Sequence, residues 1–329
     1  MNISKRPASV FCICLVIALT SPLISQAADI SYDDEGGCTY TLTGIIADGD
    51  SVELFTLTNN RPFWGGVLCL NSEGGSYLEA MKLADIVSED WITTAVRRGA
   101  SCLSACGLVF LAGSTNTESG AEILVSRYLH PQAQLGFHAP YIPTGTISVD
   151  DAAQIFEIAM TVVSHLLKKS DAYNVDSTLI AEMLGRRPNE LIMIDQVDQL
   201  GRWEIGLTDD MGAWEGRQSR INFNSLEVAC RNNLIWNIVP DHFDYVDDSA
   251  LNNEGWIHPK PCNEPGFCFF AGNVNWVCRR DETRIYGKRL SFYSRTDELV
   301  LQYSFADLPW QSYPPSTKIS SFDYPDVLP

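Results

Sequence analysis

Apolar and polar positions along this chain follow two periods, and the changes between them mark out the elements. From Thr39 to Leu57 the alternation is that of strands, broken by the turn Ala47-Asp48-Gly49-Asp50. An apolar run at Gly66–Leu70 reads as a buried strand, followed by the turn-forming Asn71-Ser72-Glu73-Gly74-Gly75. Ser76 then caps a helix in which Tyr77, Ala80, Met81, Ala84 and Val87 recur at helical spacing through Glu89. Ile92–Val96 is a further short strand. The small-residue stretch Ser104 to Ala112 is apolar all round, which implies a buried helix, with Gly113 placed for a left-handed C-terminal cap. Strands are expected near Ala121–Val125 and Gln134–Phe137. A long amphipathic helix begins after Asp150-Asp151, with Ile155, Ile158, Ala159, Val162 and Leu166 on one face. A second, from Val175 to Leu184, ends at Gly185. Strands alternating with helices in this order predict an α/β domain built on a mainly parallel sheet.

The two ends read differently. Lys5 and Arg6 precede an apolar run from Val10 to Ile24, and Ser25-Gln26-Ala27 supplies small residues before Ala28. This is the layout of a cleavable secretory signal, too short for a stable membrane span. The expected division is a signal peptide at 1–27, an α/β domain at 28–218 and a Cys- and aromatic-rich, β-rich domain at 219–329. The last stretch, with Pro309, Pro314, Pro315, Pro325 and Pro329, reads as extended or flexible.

Charge and cysteine content sharpen this picture. Removing residues 1–27 leaves 21 Lys and Arg against 41 Asp and Glu, a net charge of −20. Such a surface repels nucleic acid and anionic lipid. The expected localisation is periplasmic or secreted. Eight cysteines remain after processing, an even number that favours disulfides in an exported chain. Cys102 and Cys106 can bridge only if Cys102 lies just outside the helix, because in-helix β-carbons four apart are too distant. Cys38 is a candidate partner for Cys69, and Cys230, Cys262, Cys268 and Cys278 can pair among themselves in three ways.

Three segments carry potential chemistry. In Leu70-Asn71-Ser72-Glu73-Gly74-Gly75-Ser76, glycines at a helix start let backbone N–H groups approach a ligand. In Cys102-Leu103-Ser104-Ala105-Cys106-Gly107, a serine stands beside the unpaired amides of a first helical turn, where an oxyanion would be stabilised. In Gly136-Phe137-His138-Ala139-Pro140, a histidine closes a strand. Of the other histidines, His130 falls in a loop, His165 on a helix, and His242 and His258 in the tail. None has metal-ligand spacing, no G-x-G-x-x-G is present, and no cofactor or metal is expected.

In order and content these three segments resemble the proteolytic subunit of Clp protease, and more closely that fold's exported bacterial relatives, whose serine helix reads C-x-S-A-C. The resemblance covers roughly residues 38–210 and implies the Clp-protease/crotonase fold of stacked β–β–α units. By it, Ser104 matches the nucleophile, His138 the general base, and the amides of Gly75 and Ala105 the oxyanion hole. The longer spacing between Ser104 and His138 implies an insertion around Ser114–Arg127. If Gly201 matches the family's late glycine, Asn189 falls where an aspartate is expected, with Glu190 and Asp195 as alternatives close by. The implied function is an exported serine peptidase acting on a peptide or protein substrate, with homo-oligomerisation left open. Other readings are a serine–lysine dyad through Lys168 or Lys169, an acyl-CoA enzyme, whose cofactor is not expected outside the cytoplasm, and an inactive scaffold serving as an envelope binding protein.

Overall fold

The computed structural model describes residues 27–32, 37–60, 65–116, 123–139, 149–187, 190–207, 228, 231–232, 235–236, 258–260, 267–271, 274–281, 289–294 and 309–322. The chain is a mixed α/β protein. Its strands are β1 (Asp29–Tyr32), β2 (Tyr40–Thr43), β3 (Val67–Asn71), β4 (Thr93–Val96), β5 (Ser101–Leu103), β6 (Ser114–Asn116), β7 (Ile123–Val125), β8 (Arg127–Leu129), β9 (Gln134–Phe137), β10 (Ile192–Met193) and β11 (Gly206–Leu207). The helices are α1 (Asp50–Asn59), α2 (Tyr77–Glu89), α3 (Ala105–Leu111), α4 (Val149–Tyr173), α5 (Ser177–Gly185) and α6 (Val197–Arg202).

Among the described residues the main sheet runs β1-β2-β3-β4-β8-β11, parallel throughout except for the antiparallel edge strand β1. A smaller sheet, β10-β9-β5, joins it through a parallel bridge between Ser72 and Cys102. Strands buried on both faces read as continuous apolar runs, and β3 is one: Leu68, Cys69 and Leu70 are all buried. On α2 the apolar stripe Ala80, Leu83, Ala84 and Val87 is buried, and Val162 and Leu166 of α4 are buried as their spacing implies. The Ser76 hydroxyl accepts from the Glu79 amide at 3.3 Å, which is the expected cap.

Two local expectations are overturned. The stretch after Gly49 is the helix α1, not a strand. Its first turn is capped from a distance by Glu79, which is fully buried and accepts from the amides of Gly49 (3.1 Å) and Ser51 (2.8 Å) and from the Ser51 hydroxyl (2.6 Å). A carboxylate at a helix N-terminus stabilises it, and no local pattern announces one supplied from another helix. Gly113 is not in the left-handed region. A β-carbon there would lie 2.2 Å from Thr94 Oγ1 and 2.6 Å from the Ser126 carbonyl, so the glycine serves close packing of α3 on the sheet.

Arg127 organises the helix ends. Its fully buried guanidinium donates to the carbonyls of Leu111, Tyr173, Asn174, Trp203 and Glu204, which terminate or follow α3, α4 and α6. Helix C-termini carry orphan carbonyls and partial negative charge, and the fork geometry of arginine suits several at once. Burial lowers its pKa to about 10, so it stays charged at neutral pH. The region expected as an insertion contains the antiparallel pair β6 and β7 before this residue.

Beyond α6, the strands β12 (His258–Lys260), β13 (Phe267–Ala271), β14 (Val274–Asp281) and β15 (Arg289–Ser294) form an antiparallel sheet. Cys268 and Cys278 sit on β13 and β14, while Cys230 and Cys262 lie outside the described residues. The expectation of an extended or flexible end is overturned for residues 309–322. Trp310, Ile319 and Phe322 are buried in the core of the α/β domain. The amides of Val197, Asp198 and Ile319 donate to Thr317, Pro315 and Asp195 respectively, pinning this segment along α6. Prolines there shape turns that let apolar side chains dock. Gly201 lies under Trp236, where a β-carbon would stand 2.1 Å from the indole.

Candidate active site

Leu103 of β5 pairs with Gly136 of β9 in parallel register, so Ser104 and His138 follow the C-terminal ends of two adjacent strands. Ser104 occupies the sharp turn between β5 and α3 with φ 58° and ψ −123°. A residue with a β-carbon rarely adopts positive φ, and such strain costs about 1–3 kcal/mol unless the surroundings enforce it. Here the Ser104 amide donates to Gly136 O at 2.9 Å, and the Gly107 amide donates to Ser104 O at 2.9 Å. Cys102 and Cys106 are joined by a disulfide across the turn, with Cα atoms 5.2 Å apart. Cys102 lies on β5, outside the helix, as that bridge requires. Cys38 and Cys69 form the second disulfide, with Cα atoms 5.7 Å apart.

The glycine turn abuts the serine. A β-carbon on Gly74 would lie 2.7 Å from Ser104 Cβ, 2.7 Å from Leu103 O and 3.1 Å from Ala105 N. One on Gly75 would lie 2.1 Å from Ile46 O. Both glycines have positive φ, 100° and 144°. Ile46 holds this segment from its other side, donating to Gly74 O at 2.9 Å and accepting from the Ser76 amide at 2.8 Å. Among the described residues the Gly75 amide donates to none. Ala105 is the first residue of α3, so its amide has no intrahelical acceptor.

His138 is 5% exposed. Its Nδ1 stands 2.6 Å from the carbonyl of Ala139. A carbonyl only accepts, so the hydrogen of the neutral ring is on Nδ1 and Nε2 carries the lone pair. The Tyr77 hydroxyl donates to the His138 carbonyl at 2.9 Å, and the two rings meet edge to face at 6.1 Å. Tyr77 was not singled out from sequence. It is an ordinary aromatic on the buried stripe of α2, and only the fold brings its hydroxyl to the histidine.

The residues considered for the acidic role separate on register. Ile192 pairs with Phe137 and Met193 with Gly136, antiparallel, so the chain just before β10 passes His138. Asn189 lies outside the described residues. Glu190 is exposed, with Arg187 Nε 4.0 Å away. Asp195 follows the far end of β10, level with Gln134, roughly 13 Å along the strand from His138. It pairs there with Lys318, so this geometry speaks against it. Lys169 is paired with Asp85 at 2.6 Å, and Lys168 is exposed. His165 bonds Tyr173, and burial lowers its pKa. His130 is buried and accepts from the Gln132 amide.

Among the described residues no group of three or more His, Cys, Asp or Glu side chains has metal-holding geometry, and no helix is long and apolar enough to cross a membrane. No protein-family model matches the chain, and no match is found among curated proteins.

Proposed function

We propose that this chain is an exported serine hydrolase, a peptidase of the Clp-protease/crotonase type, with Ser104 as nucleophile and His138 as general base. The observation that carries the reading is the turn at Ser104, held at positive φ beside the end of the strand that bears His138. A serine hydroxyl is a poor nucleophile until a base takes its proton. The Ala139 carbonyl holds the Nδ1 hydrogen, which leaves the Nε2 lone pair to serve as that base.

In the proposed reaction Ser104 Oγ attacks the substrate carbonyl while His138 Nε2 takes the hydroxyl proton. The amides of Gly75 and Ala105 receive the oxyanion, and each such donor is worth about 100- to 1000-fold in rate. His138 then returns the proton to the leaving amine. Water, activated by the same histidine, hydrolyses the acyl-enzyme and restores Ser104. The Cys102–Cys106 bridge and the Gly74 contact hold the nucleophile in this strained turn throughout.

The non-catalytic reading, a scaffold that binds an envelope partner, draws on the same contact. The acceptor at His138 Nδ1 is an uncharged carbonyl, which orients the ring but stabilises its protonated form less than a carboxylate does. Fluorophosphonate labelling of the wild type beside Ser104→Ala separates the two readings.

A further inference from the structure

Asp50, the first residue of α1, is 1% exposed, and among the described residues no cation pairs with it. The other two buried acids have partners, Lys82 for Glu79 and Arg202 for Asp198. Asp50 instead accepts from the Ala47 amide at 2.8 Å and from the backbone of Ala28. Burial pushes its pKa up, and the nearby charges of Glu79 and Asp48 add to that. Among the described residues, no Lys, Arg or His side chain forms an ion pair with this carboxylate.

Ala28 is only 4% exposed, whereas Ala27 is exposed and bridges to Ile45. A β-carbon on Gly44 would stand 3.6 Å from Ala28 Cα. Ala28, just before β1, is thus tucked against the 44–50 segment, with its amide directed at Asp50.

We propose that the Ala27–Ala28 peptide bond is a processing site and that Asp50 is the receptor for the α-ammonium group released there. The proposal rests on the reading of residues 1–27 as a cleavable leader and is independent of the hydrolase reading. A leader peptidase adds water across the bond. Ala27 departs with the new carboxylate, and Ala28 keeps the nitrogen, which binds a proton at neutral pH. Because Ala28 is buried in the fold, cleavage precedes folding. The amide that contacts Asp50 becomes an ammonium at the same place, and a hydrogen bond to a buried carboxylate becomes a charge-assisted ion pair.

The pair also reaches the site. From Asp50 the chain runs back through Ala47 to Ile46, which holds Gly74 and Ser76 by two backbone hydrogen bonds. Gly44 donates to Asn71 O at 3.0 Å, gripping the end of β3 where that turn begins. Anchoring Ala28 on Asp50 thereby steadies the glycine turn that carries the Gly75 amide.

The test compares chains that start at Ala28 with chains that retain Gln26 and Ala27, each with and without Asp50→Asn. Thermal unfolding is followed, and acylation of the α-amine by an N-hydroxysuccinimide acetate reagent is located by peptide mass spectrometry. The chain starting at Ala28 is expected to melt at least about 3 °C above the extended one, a difference that Asp50→Asn removes. Its α-amine is expected to acylate about tenfold more slowly than the same amine in Asp50→Asn, because only the deprotonated amine reacts and the ion pair disfavours that form. Equal melting of the two wild-type chains would overturn the proposal, as would exported protein whose N-terminus is not Ala28. If Asp50→Asn does not fold, the two wild-type chains decide the matter alone. None of these readouts uses hydrolytic activity, so failure of this proposal is distinguishable from failure of the hydrolase reading.

Discussion

The Tyr77 hydroxyl donates to the backbone carbonyl of His138 across a sequence separation of 61 residues, locking the strand end that carries the histidine to the first turn of α2. Tyr77→Phe removes this hydrogen bond and keeps the ring. A single buried hydrogen bond is worth about 1 kcal/mol, so the rate of probe uptake at Ser104 is expected to fall about fivefold. The loss should appear in the maximal rate rather than in probe affinity, with circular dichroism unchanged.

Gly74→Ala puts a β-carbon 2.7 Å from Ser104 Cβ at a backbone φ of 100°. None of Ser104 Cβ, Leu103 O and Ala105 N is the end of a flexible side chain, so the serine turn itself must shift. A displacement of that kind is expected to lower labelling by about 100-fold or more. Far-ultraviolet circular dichroism and a melt separate displacement of the turn from loss of fold.

Glu79 is expected to contribute to stability against acid. Burial alone would raise its pKa, but hydrogen bonds from Lys82, Ser51 and Gly49 outweigh that and lower it to about 2. A carboxylate depressed in the folded state contributes stability above its unfolded value, and that contribution is lost as pH falls from about 4.5 toward 2. The shift corresponds to a contribution on the order of 3 kcal/mol at neutral pH. Glu79→Gln should flatten the stability–pH curve across this window, as read by urea unfolding at stepped pH.

Arg127→Met leaves five carbonyls at the ends of α3, α4 and α6 without their donor. The bonds to Leu111, Tyr173 and Trp203 are buried, and each buried orphan costs about 1–3 kcal/mol, so destabilisation of at least about 3 kcal/mol is expected. Arg127→Lys should recover only part of it, because an ammonium lacks the fork. Thermal or urea unfolding of both variants measures the difference.

These contacts show what local pattern reveals and what it conceals. The strand at Gln134–Phe137, the buried stripe of α2 and the Ser76 cap were legible because period and cap chemistry are local. For the Cys102–Cys106 bridge the spacing set a condition, Cys102 just outside the helix, and the β5-to-α3 boundary meets it. The helix α1 was missed because Glu79, its cap, comes from 28 residues downstream of Ser51. Arg127 was read as the edge of an insertion because nothing near it signals five carbonyls converging from three helices. The docking of Trp310 and Ile319 was hidden by the surrounding prolines. In the candidate site, Ser104, His138 and Gly75 stand out as sequence motifs, whereas Tyr77 and the carbonyl of Ala139 meet His138 only through tertiary position and backbone. Those carry no sequence signature.

The proposed hydrolase stands or falls with Ser104 as an activated nucleophile. The decisive measurement is covalent labelling of the processed, oxidised protein by a fluorophosphonate probe, with the modified peptide identified by mass spectrometry. Stoichiometric uptake at Ser104 is predicted, abolished in Ser104→Ala and reduced nearly as far in His138→Ala. A folded, oxidised wild-type protein that takes up no probe, or takes it up equally well in Ser104→Ala, would contradict the hydrolase account and leave the scaffold reading in its place.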